Sequence, residues 1–158
     1  MKTLVIFYSR TGTTKKIAEN ISKKLKCDIE EIFDCENRVG VKGYIKSGKQ
    51  ATLKKLTKLK DTNKDPSIYD LVIIGTPIWA WNMCCPIRTY ITKNKEHLRK
   101  VAFFCTMGGS GANRTFKCME KLCNKKSVAC LKLKTKDVIN NNYSEKVKEF
   151  TEKLNPHE

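Results

Sequence analysis

Leu4-Val5-Ile6-Phe7-Tyr8-Ser9-Arg10-Thr11-Gly12-Thr13-Thr14-Lys15 is an apolar run that breaks into four hydroxyl residues around one glycine. Beyond it, Ile17, Ala18, Ile21 and Leu25 recur at the spacing of one helix face. The stretch reads as strand, turn and helix, and the turn is suited to an anion. Hydroxyls donate to phosphate oxygens, Gly12 permits a tight backbone turn, and the first amides of a helix have no partner within it. A competing reading takes the hydroxyls as helix caps. One hydroxyl serves that purpose, whereas Ser9, Thr11, Thr13 and Thr14 supply four within six residues, which favours a phosphate cradle.

Outward from this turn the chain alternates. Strands are predicted at Thr3 to Tyr8, Asp28 to Phe33, Leu71 to Gly75, Val101 to Thr106 and Val128 to Lys132. Runs such as Leu71-Val72-Ile73-Ile74 and Val101-Ala102-Phe103-Phe104 suit parallel strands covered on both faces. Helices are predicted at Thr13 to Leu25, Pro86 to Asn94, Ala112 to Asn124 and Ser144 to Leu154, with Pro86 at a helix start where its missing amide costs nothing. Between Asp34 and Pro66 one basic amphipathic helix is expected after an irregular stretch. Its stripe would be Ile45, Leu53, Leu56 and Leu59, with Gly40, Gly43 and Gly48 interrupting its beginning. Five strands alternating with helices predict an α/β fold with an open, doubly wound parallel sheet.

The 158 residues are expected to form one domain, 1–158. No apolar run approaches the roughly 18 residues of a membrane helix, and the apolar stretch after Lys2 is too short for a signal peptide. The chain is therefore expected to be soluble and cytoplasmic, with its eight cysteines reduced. No cysteines form a C-x-x-C pair, and His97 and His157 lie far from any cysteine cluster, so zinc and redox-disulfide readings lack support. No Ser-His-Asp set or carboxylate pair stands out, and no residue is assigned a catalytic proton-transfer role.

Net charge is +16. From Arg38 to Lys64 nine basic residues face one acid, Asp61, a net +8; from Arg114 to Asp137 eight face Glu120 and Asp137, a net +6. Two readings stand: a solvated lysine surface, or one that meets an anionic partner.

In doubly wound sheets ligands bind outside the carboxyl ends of the strands. The third predicted strand is followed by Gly75-Thr76-Pro77-Ile78-Trp79-Ala80-Trp81-Asn82-Met83-Cys84-Cys85-Pro86, and the fourth by Thr106-Met107-Gly108-Gly109-Ser110-Gly111. Singly, Trp79 and Trp81 are ordinary core residues; beside a phosphate cradle they point to a planar ring with a phosphate tail, for which they supply stacking area.

At these three loops the chain resembles the flavodoxin-like family of flavin mononucleotide (FMN) proteins, over roughly residues 1 to 133. The resemblance implies a strand order of 2-1-3-4-5 in a three-layer αβα arrangement. It implies that Ser9, Arg10, Thr11, Gly12, Thr13 and Thr14 hold the FMN phosphate. Thr76, Pro77, Ile78, Trp79, Ala80 and Trp81 would line the isoalloxazine, with Trp79 or Trp81 as the aromatic wall. Thr106, Met107, Gly108, Gly109 and Gly111 would close the other side and offer amides to the pyrimidine edge. Arg10 would either pair with the phosphate, a charge-assisted contact, or face solvent. Cys84 and Cys85 would be apolar pocket wall or, alternatively, a redox thiol pair.

The chain departs from typical electron carriers of that family. Its third loop has no aromatic residue to cover the second flavin face. Pro77 to Trp81 contains no glycine, so a peptide flip beside the flavin would put a side chain at positive φ, and weak stabilisation of the one-electron form is expected. An apolar setting disfavours anionic reduced flavin, while Arg10 and nearby lysines favour it. The basic balance implies an acidic redox partner protein. The implied function is electron transfer through flavin to or from that partner; the alternative is an NAD(P)H-fed, FMN-dependent oxidoreductase of a quinone-like acceptor. Nucleic acid is the weaker explanation of the charge and would show as steeply salt-dependent binding.

Overall fold

The computed structural model describes residues 1–155; residues 156–158, the end of the expected domain and the site of His157, lie outside the described residues. In chain order the elements are β1 (Thr3–Phe7), α1 (Thr13–Leu25), β2 (Asp28–Glu31), α2 (Gly40–Thr52), β3 (Leu71–Trp79), β4 (Asn82–Met83), α3 (Cys85–Asn94), β5 (Lys100–Met107), α4 (Ala112–Cys123), β6 (Ser127–Lys134), α5 (Thr135–Ile139) and α6 (Ser144–Leu154). The parallel strands lie in the order β2-β1-β3-β5-β6, and β4 pairs antiparallel with the end of β3. With that two-residue strand set aside, the order is the expected 2-1-3-4-5.

Side chains along a strand point alternately to opposite faces, and each face here has its own core. Leu4, Ile6, Val72, Ile74 and Phe103 join Ile87, Tyr90 and Ile91 of α3 and Phe116 and Met119 of α4. Val5, Phe7, Ile73 and Phe104 join Ile17, Ala18 and Ile21 of α1 and Val147, Phe150 and Leu154 of α6. Buried on both sides, β1, β3 and β5 read as unbroken apolar runs, whereas the edge strand β6 alternates and turns Lys132 and Lys134 outward. The result is a three-layer αβα architecture.

The main correction concerns α2. The helix begins earlier than the apolar stripe predicts and contains Gly40, Gly43 and Gly48 within it. Its buried residues are Gly43, Ser47 and Ala51, while Ile45, Leu53 and Leu56 are exposed, and of the expected stripe only Leu59 packs against the core. The cause is close approach: a Cβ on Gly43 would stand 2.1 Å from the carbonyl carbon of Arg38. Two elements had not been anticipated, the β4 hairpin strand and α5. The third predicted strand also does not stop at Gly75, because β3 keeps pairing with β5 as far as Pro77–Thr106 before turning back onto β4.

Candidate functional site

The carboxyl ends of β1, β3 and β5 converge on a cavity of about 300 Å³ lined by Arg10, Thr11, Thr13, Thr14, Tyr44, Pro77, Ile78, Trp79, Thr106 and Thr135. No carboxylate is among them.

The first loop is organised by Gly12, whose φ of +93° makes it the cap residue of α1 with no side-chain hydrogen bond across the helix end. Its own amide donates to Ser9 Oγ at 3.0 Å. The first intrahelical bond runs from Lys16 N to Gly12 O at 3.0 Å, so the amides of Thr13 to Lys15 precede it at the positive end of the helix. The hydroxyls therefore do not serve as caps. Thr11 and Thr13 have their hydroxyls 3.4 Å apart at the cavity, and buried Thr14 shares a 2.8 Å hydrogen bond with Thr106, tying the first loop to the third. Arg10 faces the cavity with its guanidinium 5.4 Å from the ring centre of Tyr44 on α2.

In the second loop Trp79 is only 7% exposed and Trp81 is 60% exposed. Trp79 lines the cavity and is the aromatic wall of the pair. Tyr8 meets it edge-on with ring centres 5.5 Å apart. The Arg38 guanidinium lies 5.0 Å from its ring centre. Arg38 is itself buried: Nε and Nη2 contact Asp34 Oδ2 at 2.8 and 2.7 Å, and Nη1 donates to Ser47 Oγ at 3.1 Å. Burial, then the nearby Asp34 carboxylate, raises the Tyr8 phenol well above its ordinary range, so Tyr8 is neutral. With Arg38 neutralised by Asp34, Arg10 supplies the positive charge at the cavity wall.

Ala80 and Trp81 form the two-residue turn between β3 and β4, at φ of +47° and +59°. Tight hairpins demand positive φ at both positions and usually use Asn-Gly there. The loop thus already holds two side chains in the left-handed region without glycine, at the cost such a conformation carries. Trp81 Nε1 donates to Ser110 Oγ at 3.1 Å, and a Cβ on Gly111 would come within 3.0 Å of Trp81 Cα. Glycine is therefore required where the second and third loops touch.

Thr76 is buried away from the cavity, donating to the Pro77 carbonyl at 2.7 Å and accepting from Cys84 N at 3.1 Å, so it anchors the loop and does not line the site. Gly108 and Gly109 are exposed; Met107 is buried. Met107, Gly109 and Gly111 instead border a second cavity of about 480 Å³, shared with Arg114, Lys132 and Lys134. Cys84 and Cys85 are fully buried, and burial pushes the Cys84 thiol up to about 12. It is a neutral thiol at physiological pH and not a reactive thiolate, and neither cysteine lines the cavity: Cys84 belongs to the core beneath it, not to the pocket wall. All eight cysteines are unpaired, and among the described residues no His, Cys, Asp and Glu cluster could hold a metal ion.

Residues 2–154 match the sequence pattern of the flavodoxin family. The chain belongs to the flavodoxin family. A flavoprotein from Lactobacillus acidophilus NCFM, crystallised in complex with FMN, is 26% identical with a TM-score of 0.73, the match covering 90% of this chain and 98% of that one. The apo form of the flavoprotein from the same organism, solved by NMR, is 27% identical with a TM-score of 0.64 over 84% and 91% of the two chains. Two-electron reduced flavodoxin from Megasphaera elsdenii is 17% identical with a TM-score of 0.61 over 94% and 97%, a likeness of fold. No protein of curated function matches the sequence significantly.

Sequence reasoning missed four residues of this flavodoxin-family site. Thr135 follows the last strand, and the strand-end rule applied there finds it; its hydroxyl donates to the Met107 carbonyl at 3.2 Å. Tyr8, directly after β1, is found by the same rule; Tyr44 and Arg38 leave no comparable signal, because nothing local in the sequence places α2 or the Asp34–Arg38 segment against Trp79.

Proposed function

We propose that the chain binds FMN in this cavity and passes electrons through it to or from an acidic protein partner. The observation that carries the reading is the convergence of the hydroxyl loop, with its uncapped helix start, and Trp79 on one cavity that has a cation and no carboxylate in its wall. That donor set fits a phosphate: the Thr11 and Thr13 hydroxyls, the amides of Thr13 to Lys15, and Arg10 would hold it. Pro77, Ile78 and Trp79 would form the apolar wall for the ring, and the third loop would offer backbone amides to its polar edge. When bound, FMN supplies reversible one- and two-electron chemistry. The protein's part is to bind, to orient the ring on Trp79, and to exclude water from that face. The likeness to a flavoprotein crystallised with FMN supports the same cofactor.

In the same reading residues 1–158 form one domain, supported by two cores on opposite faces of one sheet. A cytoplasmic setting is consistent with eight unpaired cysteines, and no described helix is long and apolar enough to cross a membrane. A second reading, an NAD(P)H-dependent reductase of a small acceptor, is favoured by one feature: the third loop has no aromatic residue and opens onto the larger cavity with Arg114, Lys132 and Lys134 in its wall.

Titrating the apo chain with FMN tests the first reading. Flavin and tryptophan fluorescence should both be quenched with a dissociation constant at or below about 1 μM, and Thr11→Val/Thr13→Val should weaken it at least about tenfold. A chain that binds no FMN at micromolar concentration sinks it. Steady turnover of NAD(P)H with a quinone would select the second reading over the first.

A further inference from the structure

We infer that the outward face of α2 is the docking surface for the acidic partner, an inference that rests on the electron-transfer reading above. Around this helix the residues fall into three stripes. Gly43, Ser47 and Ala51 face the protein. Val41, Tyr44 and Ile45 stand outward at 76%, 64% and 63% exposure. Lys42, Lys46 and Lys49 form a third stripe beside them, at the i, i+4, i+7 spacing of one face. Helices of a folded domain ordinarily turn large apolar side chains inward; this one turns them to water.

The placement is not general. Of twelve exposed large apolar side chains among the described residues, seven lie between Phe33 and Leu56. The lysine-bearing helices α1, α4 and α6 expose none. Apolar area flanked by charge is the make-up of a transient interface, in which the apolar part supplies affinity and the charged flank supplies steering. Charge complementarity selects the partner. The stretch from Arg38 to Lys64 carries a net +8, and Lys42 and Lys49 have no carboxylate within ion-pair distance among the described residues. A second copy of this chain would bring like charge against like. An acidic protein surface with an apolar centre fits. The patch also reaches the redox site: Tyr44 lines the candidate flavin cavity and its ring lies under Arg10. A partner seated on α2 would therefore lie beside the flavin.

The test uses a fluorescein-labelled plant-type [2Fe–2S] ferredoxin, an acidic redox protein, and follows its anisotropy as full-length chain is added, with and without FMN. Val41→Ser/Ile45→Ser and Lys42→Glu/Lys49→Glu should each weaken binding about tenfold or more. Lys117→Glu/Lys121→Glu on α4, equal in charge change, should weaken it less than about twofold. Equal losses from the two charge reversals, no loss from Val41→Ser/Ile45→Ser, or no binding of ferredoxin by the wild-type chain would each overturn the inference. Binding to phosphatidylserine vesicles that the α2 variants abolish, without ferredoxin binding, would overturn it in favour of a membrane surface. Ferredoxin binding through α2 by a chain that takes up no FMN would support the docking surface while removing the flavin reading.

Discussion

Helices α1 and α2 are each thirteen residues long, and they solve burial in opposite ways. Helix α1 buries Ile17, Ala18 and Ile21 against the sheet and leaves its lysines outside. Helix α2 buries only small residues and exposes Val41, Tyr44 and Ile45. In the first, apolar area removed from water sets the facing of the helix. In the second, backbone approach sets it, because Gly43 must fit against Arg38, which is in turn held by Asp34 beneath Trp79. Periodicity reports the first kind of packing and is silent about the second.

The sharpest way to break the contrast is at the ion pair that α2 covers. Arg38→Leu leaves Asp34 buried without its partner and should cost about 3–5 kcal/mol in urea unfolding, while Arg38→Leu/Asp34→Asn should recover most of it. A cost below about 1 kcal/mol for the single variant would mean the pair does not hold α2 in place. Next comes the direct comparison of facing. Ile17→Ala should destabilise by about 2–5 kcal/mol and Ile45→Ala by less than about 0.5 kcal/mol; similar losses would show that the outward face of α2 is in fact packed.

Glycines within α2 sharpen the contrast further. Gly43→Ala forces a Cβ into the backbone of Arg38 and should cost about 1–3 kcal/mol, whereas Gly48→Ala meets nothing within 4 Å and should gain about 0.5–1 kcal/mol. Thermal melts of the two variants should move in opposite directions, and a shared direction would refute the close-approach account.

A smaller effect concerns the thiols of the core. Burial pushes Cys84, Cys105 and Cys123 each up to about 12. The folded state keeps these protons at a pH where the unfolded chain, titrating near 9, has lost them, so stability falls as pH rises from 9 toward 12. Each buried thiol should add about 1.4 kcal/mol of loss per pH unit in that window, at most. Cys84→Val should flatten the slope measured by urea unfolding between pH 9 and 10.5; an unchanged slope would show that the thiol is not protonated by burial.

Much of the fold was readable because its signals are local. Helices α1 and α6 begin and end at the residues predicted, since each has an apolar face that must be buried and a clear break at both ends. The strand–turn–helix at the first loop was readable for the same reason, as its hydroxyls, glycine and helix start are neighbours in sequence. The turn at Ala80-Trp81 was not legible because neither residue has an intrinsic preference for positive φ; the β3–β4 pairing imposes it. Tyr44 and Arg38 were missed because their roles depend on segments about 40 residues from Trp79 in sequence.

By itself the order of residues determined five parallel strands, the helices α1, α3, α4 and α6 and which three loops meet at one end of the sheet. Apolar periodicity and turn chemistry are short-range and survive in a one-dimensional string. Only the tertiary structure decided that Trp79 and not Trp81 walls the cavity, that Arg38 stands behind it, and that α2 shows its apolar stripe to solvent. Those outcomes depend on which surfaces approach within a few ångströms of each other, and steric fit between distant segments leaves no trace in local sequence.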